Sequence, residues 1–308
     1  MDEIYDKQVK SKRKANESAE KAKFEKKKVL DDIVDKHDNP DTDTSTSDNF
    51  LDTMVFSFSN LSAFETCPYS WYLKYIEREN GLDNIYGEFG TCCHRVLERF
   101  VKGEIQQDEL VNTYINEFDN TVKSGNDCYD KVSNLFDTGF NYFSKCSWKN
   151  LHLDGCKVIG VEYECRFKVG DNDFIGFIDL LVQDNSGELI VIDHKSGEYP
   201  MNKSGTVKAK QKEKLESYKR QLYLYCKAVY DKFHKYPSKL VWNFFKTNDW
   251  LVIPFDETEY HNTLKWAQDL IFDIYLTVDF DSKPSFFFCH NICDYRMVCE
   301  RKDEDIEK

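Results

Sequence analysis

Between residues 157 and 169 apolar and polar side chains alternate. Ile159, Val161, Tyr163, Cys165, Phe167 and Val169 share one face, and Glu162, Glu164 and Arg166 take the other. A period of two over this length predicts a half-buried strand. Residues 173–197 continue as two more strands around a tight turn, with an apolar run, Leu189–Ile192, leading into the second. Residues 239–246 and 250–255 read as two further strands. Elsewhere the spacing is helical. Leu61, Phe64, Trp71, Tyr72 and Tyr75 form a stripe in which Ser62 and Glu65 have capping-box spacing and Pro68 restarts the helix. Residues 87–98 are helical, and residues 108–147 give one or two covering helices (Leu110, Tyr114, Phe118; then Val132, Phe136, Phe140, Phe143). A helix runs from Leu215 to about Phe233, and a last one places Leu264, Ala267, Ile271 and Ile274 at core spacing. The pattern predicts an α/β domain over residues 54–300, a mixed central sheet flanked by helices. Residues 1–53 and 301–308 read as charged, linker-like tails with little to bury.

The turn within 173–197 decides which side chains meet. A three-residue loop of Asn185, Ser186 and Gly187, with Gly at the left-handed position, is a common hairpin connection. It pairs Asp184 with Glu188 and so sets Asp179 opposite Asp193; a two-residue loop would set Asp179 opposite Ile192, on the wrong face. Asp193 and Lys195, two apart, point the same way. Two facing carboxylates repel by about 4 kcal/mol at about 4 Å and an effective dielectric of about 20. They call for a cation, and a hard divalent ion, Mg²⁺ or Mn²⁺, suits oxygen ligands. That combination implies metal-assisted hydrolysis of a phosphodiester, with Lys195 orienting water or stabilising the transition state.

Composition narrows the setting. The chain has 308 residues, 41 % of them hydrophobic, enough for a sizeable core. It shows no 18-residue apolar run, and its N-terminus is charged rather than signal-like, so a soluble cytoplasmic protein that does not enter membranes is expected. Eleven cysteines, an odd number without a small-domain framework, point to reduced thiols or metal ligands. Three of them, Cys289, Cys293 and Cys299, crowd into eleven residues. A net charge of −13 does not exclude nucleic acid, because the local field at a groove decides. Between Lys203 and Arg220, Lys219 included, seven Lys/Arg stand against two Glu, and a nucleic-acid contact is expected there.

Gly176-Phe-Ile-Asp179 followed by Val191-Ile-Asp193-His-Lys195-Ser-Gly197 resembles the core of the PD-(D/E)XK nuclease superfamily, and within it the RecB-like exonuclease branch, over about Phe56 to Cys299. The resemblance implies a restriction-endonuclease-like core. Gly90-x-x-x-His94-x-x-x-Glu98 resembles the family's first motif, whose His binds the catalytic metal together with Asp179 and Asp193. Glu98 is equally a helix-surface partner for Arg95 or Lys102. Glu162 matches a Glu carried near the site. Gln221-x-x-x-Tyr225 resembles the last motif, with Gln221 near the attacking water or phosphate and Tyr225 near the DNA. Arg220 and Lys219 beside them are taken as substrate contacts. Ser59 through Tyr75 resembles the opening motif of the iron–sulfur members, among them the AddB nuclease domain and CRISPR-associated relatives, which makes Cys67 the first ligand before Cys289, Cys293 and Cys299. Those relatives have two residues between the second and third cysteines where this chain has three, so either the loop accommodates one more or His290 takes the place of Cys289. A 4Fe-4S cluster is implied, with zinc as runner-up. The implied function is an Mg²⁺- or Mn²⁺-dependent DNA exonuclease acting on single strands or ends in recombination, repair or replication, in a bacterial or phage-infected cell. Any helicase would be a separate chain. A catalytically silent DNA-end binding subunit and a DNA endonuclease are the alternatives.

Overall fold

The computed structural model describes residues 51–123 and 129–300; apart from residues 51–53, the two terminal tails lie outside them. Five strands make one sheet in the order β1 (Lys157–Val169), β2 (Asn172–Gln183), β3 (Leu189–Lys195), β4 (Lys239–Phe244), β5 (Asp249–Pro254). The first three form an antiparallel meander. β4 runs parallel to β3, after the long helix α6 (Lys212–Phe233) has crossed over, and β5 returns antiparallel. Parallel neighbours need such a crossover, because no tight turn can reverse the chain twice. No helix among the described residues is long and apolar enough to cross a membrane.

The sheet is covered on both faces. α3 (Ile85–Val101), with α4 (Leu110–Thr121) and α5 (Tyr129–Phe143) behind it, packs Phe89, Cys93, Val96 and Leu97 against Leu180, Val182, Ile192 and Val241. On the other face α6 buries Leu222, Tyr225, Cys226 and Val229, beside α1 (Phe58–Thr66), α2 (Pro68–Tyr75) and α7 (Glu257–Leu276). The α3 core residues recur every three or four positions, so the helix has one apolar stripe and gains its stability from packing it. α5 is a partial exception to the expected pattern: Phe143 is buried, but Phe140 lies at the exposed margin.

Two local readings are corrected. α1 does not start at Ser62. Its cap is Ser57, whose hydroxyl accepts the Asn60 N–H at 3.1 Å, because Leu61 and Phe64 are both buried and require a helix one turn earlier. The second concerns β1. Val158 and Val161 pack with the α3 cluster, whereas Cys165 lies against Gly176, next to Tyr225 of α6. The alternation therefore changes sides between Val161 and Cys165. Glu162 has φ +47°, a left-handed backbone that a non-glycine residue adopts at a cost of about 1–3 kcal/mol. Such a break re-aims a side chain within a strand.

The hairpin register is the one the turn chemistry requires. Leu180 pairs with Ile192 and Gln183 with Leu189. The Asp184 N–H donates to the Glu188 carbonyl at 2.9 Å, and Gly187 has φ +85°. Gly176 is fixed by a close approach, since a Cβ there would stand 2.6 Å from Cε1 of Tyr225. A rigid ring cannot swing aside as a flexible chain end can. Gly176→Ala should cost about 1–3 kcal/mol in urea unfolding and displace Tyr225; unchanged stability would show that α6 moves freely over β2.

Candidate active site

The β2–β3 ladder stops at Leu180–Ile192, where the strands part. Into the gap the sequence places carboxylates instead of backbone pairs. The His194 N–H donates to Asp179 Oδ2 at 2.6 Å. From α3 the half-buried His94 reaches the same point. Its Nε2 lies 3.1 Å from the His194 carbonyl, and a carbonyl can only accept, so Nε2 carries a proton. Nδ1 is thereby aimed at Asp179 Oδ2 and Glu162 Oε1, each 3.6 Å away. One ligand atom from each of His94, Glu162 and Asp179 falls within 4.8 Å of the others. The kink at Glu162 is what turns its carboxylate toward this cluster.

Lys195 is held from several sides. Its ammonium donates to Asp193 Oδ1 at 3.0 Å and to Gln221 Oε1 at 2.7 Å, forms an ion pair with Asp193 Oδ2 at 2.8 Å, and lies 4.7 Å from the centre of the Tyr218 ring. Gln221 in turn donates to the Tyr225 hydroxyl at 3.3 Å. Asp193 is 3 % exposed, and its Oδ2 has the Lys195 ion pair but no hydrogen bond. The carboxylate thus pairs with Lys195 and also raises the pKa of both His94 and Asp179.

Charges in this pocket are mutually dependent. Burial opposes protonation of His94, but Asp179, Glu162 and Asp193 outweigh it and raise its pKa to about 9. Burial pushes Asp179 up, and Asp193 adds to it, against His94 and Lys195, which favour ionisation. His194 behaves oppositely. Burial, then His94 and Lys195, hold its pKa well below the usual range. It stays neutral as its Nδ1 accepts from Asn243 at 3.0 Å, while Asn243 also donates to the Tyr142 hydroxyl at 2.5 Å.

These donors fit a divalent ion. Two carboxylates and an imidazole whose other nitrogen is fixed on a carbonyl are hard and borderline ligands. A further buried carboxylate, Asp193, pairs with Lys195 and acts electrostatically on both His94 and Asp179. Binding must displace the proton that neutral pH leaves on His94 and part of that on Asp179, so affinity should rise with pH. At pH 7, Mn²⁺ titrated calorimetrically in buffers of differing ionisation enthalpy should release about one to two protons. Proton-independent binding would refute this ligand set.

The remaining residues singled out from sequence are placed as follows. Glu98 is bound to Lys102 at 2.5 Å on the helix surface. Arg220 donates to Glu65 at 2.9 and 3.1 Å and lies 4.7 Å over Trp266, and Lys219 pairs with Glu216 at 3.0 Å. Both are committed within the protein rather than turned to the carboxylates. Tyr218 and Asn243 escaped notice in the sequence. Tyr218 stands three residues before Gln221, on the same helix face, and that spacing could have revealed it. Asn243 is visible only once β4 is paired beside His194.

Cys67, Cys289, Cys293 and Cys299 line one small cavity with Phe288 and Tyr295. Cys67 sits at the α1–α2 junction, and Cys289 lies in a wide turn, Phe288–Ile292, closed by a Cys293 N–H to Phe288 carbonyl bond of 2.8 Å. Backbone N–H groups of Ser285 and Tyr295 donate to the sulfurs of Cys289 and Cys293 at 3.3 and 3.4 Å. His290 is exposed, its ring against Phe286, and is not among the residues lining the cavity. Burial, opposed by the Tyr295 N–H and reinforced by the neighbouring thiols, lifts Cys293 to about 11.

Among solved structures, a candidate exonuclease from Eubacterium rectale shares 9 % identity over 87 % of this chain and 94 % of its own, with a TM-score of 0.49. The structure of SSO0001 shares 14 % over 91 % and 96 %, with a TM-score of 0.36. Comparison with curated proteins finds no match. The family model of the PD-(D/E)XK nuclease superfamily matches residues 55–300. Since that match takes in the entire sheet and every residue gathered at the parting of β2 and β3, the chain belongs to the PD-(D/E)XK nuclease superfamily.

Proposed function

We propose that this chain is an Mg²⁺- or Mn²⁺-dependent DNA exonuclease acting on single strands or ends. The observation that carries the reading is the gathering of ligand atoms of His94, Glu162 and Asp179 within 4.8 Å of one another, on strands and a helix that also carry the Asp193–Lys195–Gln221 contacts. His94, Asp179, Asp193 and Glu162 hold the divalent ion. When bound, the ion neutralises charge on the scissile phosphate and lowers the pKa of water. Lys195, immobilised by Gln221 and the Tyr218 ring, places a fixed positive charge where charge develops on the phosphate. Gln221 presents its amide beside that ammonium and orients the attacking water, and Tyr225 fixes Gln221. The narrowing from nuclease to exonuclease rests on the resemblance of the flanking motifs to the RecB-like branch.

The four thiols are proposed to hold a 4Fe-4S cluster, with zinc as the alternative, in a structural role. Four cysteines on one cavity, with backbone N–H groups aimed at two sulfurs, fit such a centre. Recombination, repair or replication in a bacterial or phage-infected cell, with a separate helicase, is the corresponding setting.

An end-labelled single strand and a closed circular DNA, each incubated with Mg²⁺ or Mn²⁺, test the assignment. Loss of label with the circle intact supports an exonuclease and gives its polarity. A cut circle makes the chain an endonuclease. Binding without cutting makes it an end-binding subunit.

A further inference from the structure

We infer that Lys214 and the hydroxyl of Tyr218 seat the backbone phosphate next to the one being cleaved. The inference rests on the nuclease reading above. Gly197, two residues past Lys195, faces the first turns of α6. A Cβ at Gly197 would stand 2.9 Å from the Tyr218 hydroxyl oxygen and 3.2 Å from Lys214 Nζ. Glycine therefore lets an O–H and an ammonium, both hydrogen-bond donors, stand directly against the backbone here. Lys195 borders it as well: the ammonium groups of Lys195 and Lys214 lie 4.7 and 5.8 Å from the centre of the same Tyr218 ring.

The ordinary reading of Lys214 is a solvated lysine on an exposed turn. Its surroundings argue otherwise. The chain is exposed, yet burial of its ammonium, then Lys195, holds its pKa below the usual range. The acid that favours its charge, Glu198, is already paired with Lys246 at 2.9 Å. Three other cations of this basic stretch have partners: Lys208 donates to the Tyr199 carbonyl, Lys219 to Glu216 and Arg220 to Glu65. A flexible side chain placed beside a like charge, against a glycine backbone, suits an anion that enters between the two ammonium groups. Lys195 serves the scissile phosphate, so a second cation sharing its ring reaches the adjacent phosphate of the same strand. Contacts of this kind position a strand without reading its bases.

Binding and cleavage are measured separately. Fluorescence anisotropy of a labelled single-stranded oligonucleotide in Ca²⁺, over a range of salt, compares wild type with Lys214→Ala, Lys214→Arg and Tyr218→Phe. Lys214→Ala should weaken binding about 10-fold at low salt. It should also lower the slope of log affinity against log salt by about 0.7, one phosphate contact on a single strand. Lys214→Arg should restore the slope, and Tyr218→Phe should weaken binding with the slope kept. In cleavage with Mg²⁺ or Mn²⁺, Lys214→Ala should raise KM far more than it lowers kcat. Wild-type affinity and slope in Lys214→Ala, or a fall in kcat at constant KM, would overturn the inference. If wild type binds but does not cut, the nuclease reading fails while the salt slopes still decide Lys214. If wild type binds no DNA, both fall.

Discussion

Asp193→Ala should lower cleavage of single-stranded DNA on the order of 10³-fold in kcat while leaving DNA bound in Ca²⁺. The carboxylate has two tasks, and the substitution removes both. It is the proposed further ligand of the divalent ion, and it fixes Lys195 through contacts of 2.8 and 3.0 Å. Stability should respond much less than activity. The loss leaves the Lys195 ammonium with Gln221 Oε1 and the Tyr218 ring, a destabilising change for a buried cation. It also relieves the repulsion from Asp193 that helps to raise Asp179. The two effects oppose each other and are of comparable size, a few kcal/mol at an effective dielectric of about 20. Asp193→Asn separates the tasks, because an amide oxygen still accepts from Lys195 but carries no charge for a divalent ion. It should be nearly as inactive as Asp193→Ala with a native melting profile. If Asp193→Asn cleaves at close to the wild-type rate, the carboxylate is not a metal ligand.

Much of this architecture is legible in the sequence, for identifiable reasons. The hairpin register follows from local chemistry: Gly187 takes the left-handed turn position, and counting back from it sets Asp179 against Asp193. Lys195 and Asp193 share a face by period two alone. His94 and the Gln221–Tyr225 pair come from family resemblance rather than periodicity, since each is an ordinary helix residue in isolation. What stayed hidden depends on backbone irregularity or on pairing between distant segments. Unbroken alternation through 159–169 implies a regular strand, yet Glu162 adopts φ +47° and brings its carboxylate to His94 and Asp179, while Asp193 pairs with Lys195. The charge run around Lys219 and Arg220 does not name the partners its cations have within the protein. Glu65, distant in sequence on α1, takes the Arg220 guanidinium, a partner visible only after α1 has packed beside α6. Lys214, in the same run, escaped notice because its significance lies in the glycine it faces.

Cys67→Ser and Cys293→Ser should each abolish the metal centre and lower the melting temperature by about 10 °C or more. A centre held by the four sulfurs would join segments about 230 residues apart in the chain. A cross-link closing so long a loop is worth about 5 kcal/mol in the chain-entropy account, and about 1 kcal/mol shifts the midpoint of a domain this size by about 2–4 °C. Without the centre the same segments keep weaker ties. The Leu82 N–H donates to the Asp294 carbonyl at 2.8 Å, Arg296 donates to the carbonyls of Leu82 and Asp83, and Tyr295 donates to that of Glu79 at 3.2 Å. Unfolding should therefore begin at the C-terminal segment rather than in the sheet, and limited proteolysis of either variant should cut first near residues 284–300. Wild-type protein prepared without oxygen should be brown, with a broad absorbance near about 400 nm, if the centre is iron–sulfur. Colourless protein with stoichiometric zinc would keep the staple and replace the metal. Cys156→Ser, at a partly exposed thiol outside the cavity, serves as the control and should alter neither colour nor melting. Protein that binds neither metal, with Cys67→Ser and Cys293→Ser melting as wild type does, would reduce the four thiols to ordinary side chains and leave the hydrogen bonds of Leu82, Tyr295 and Arg296 to hold the two ends of the domain together.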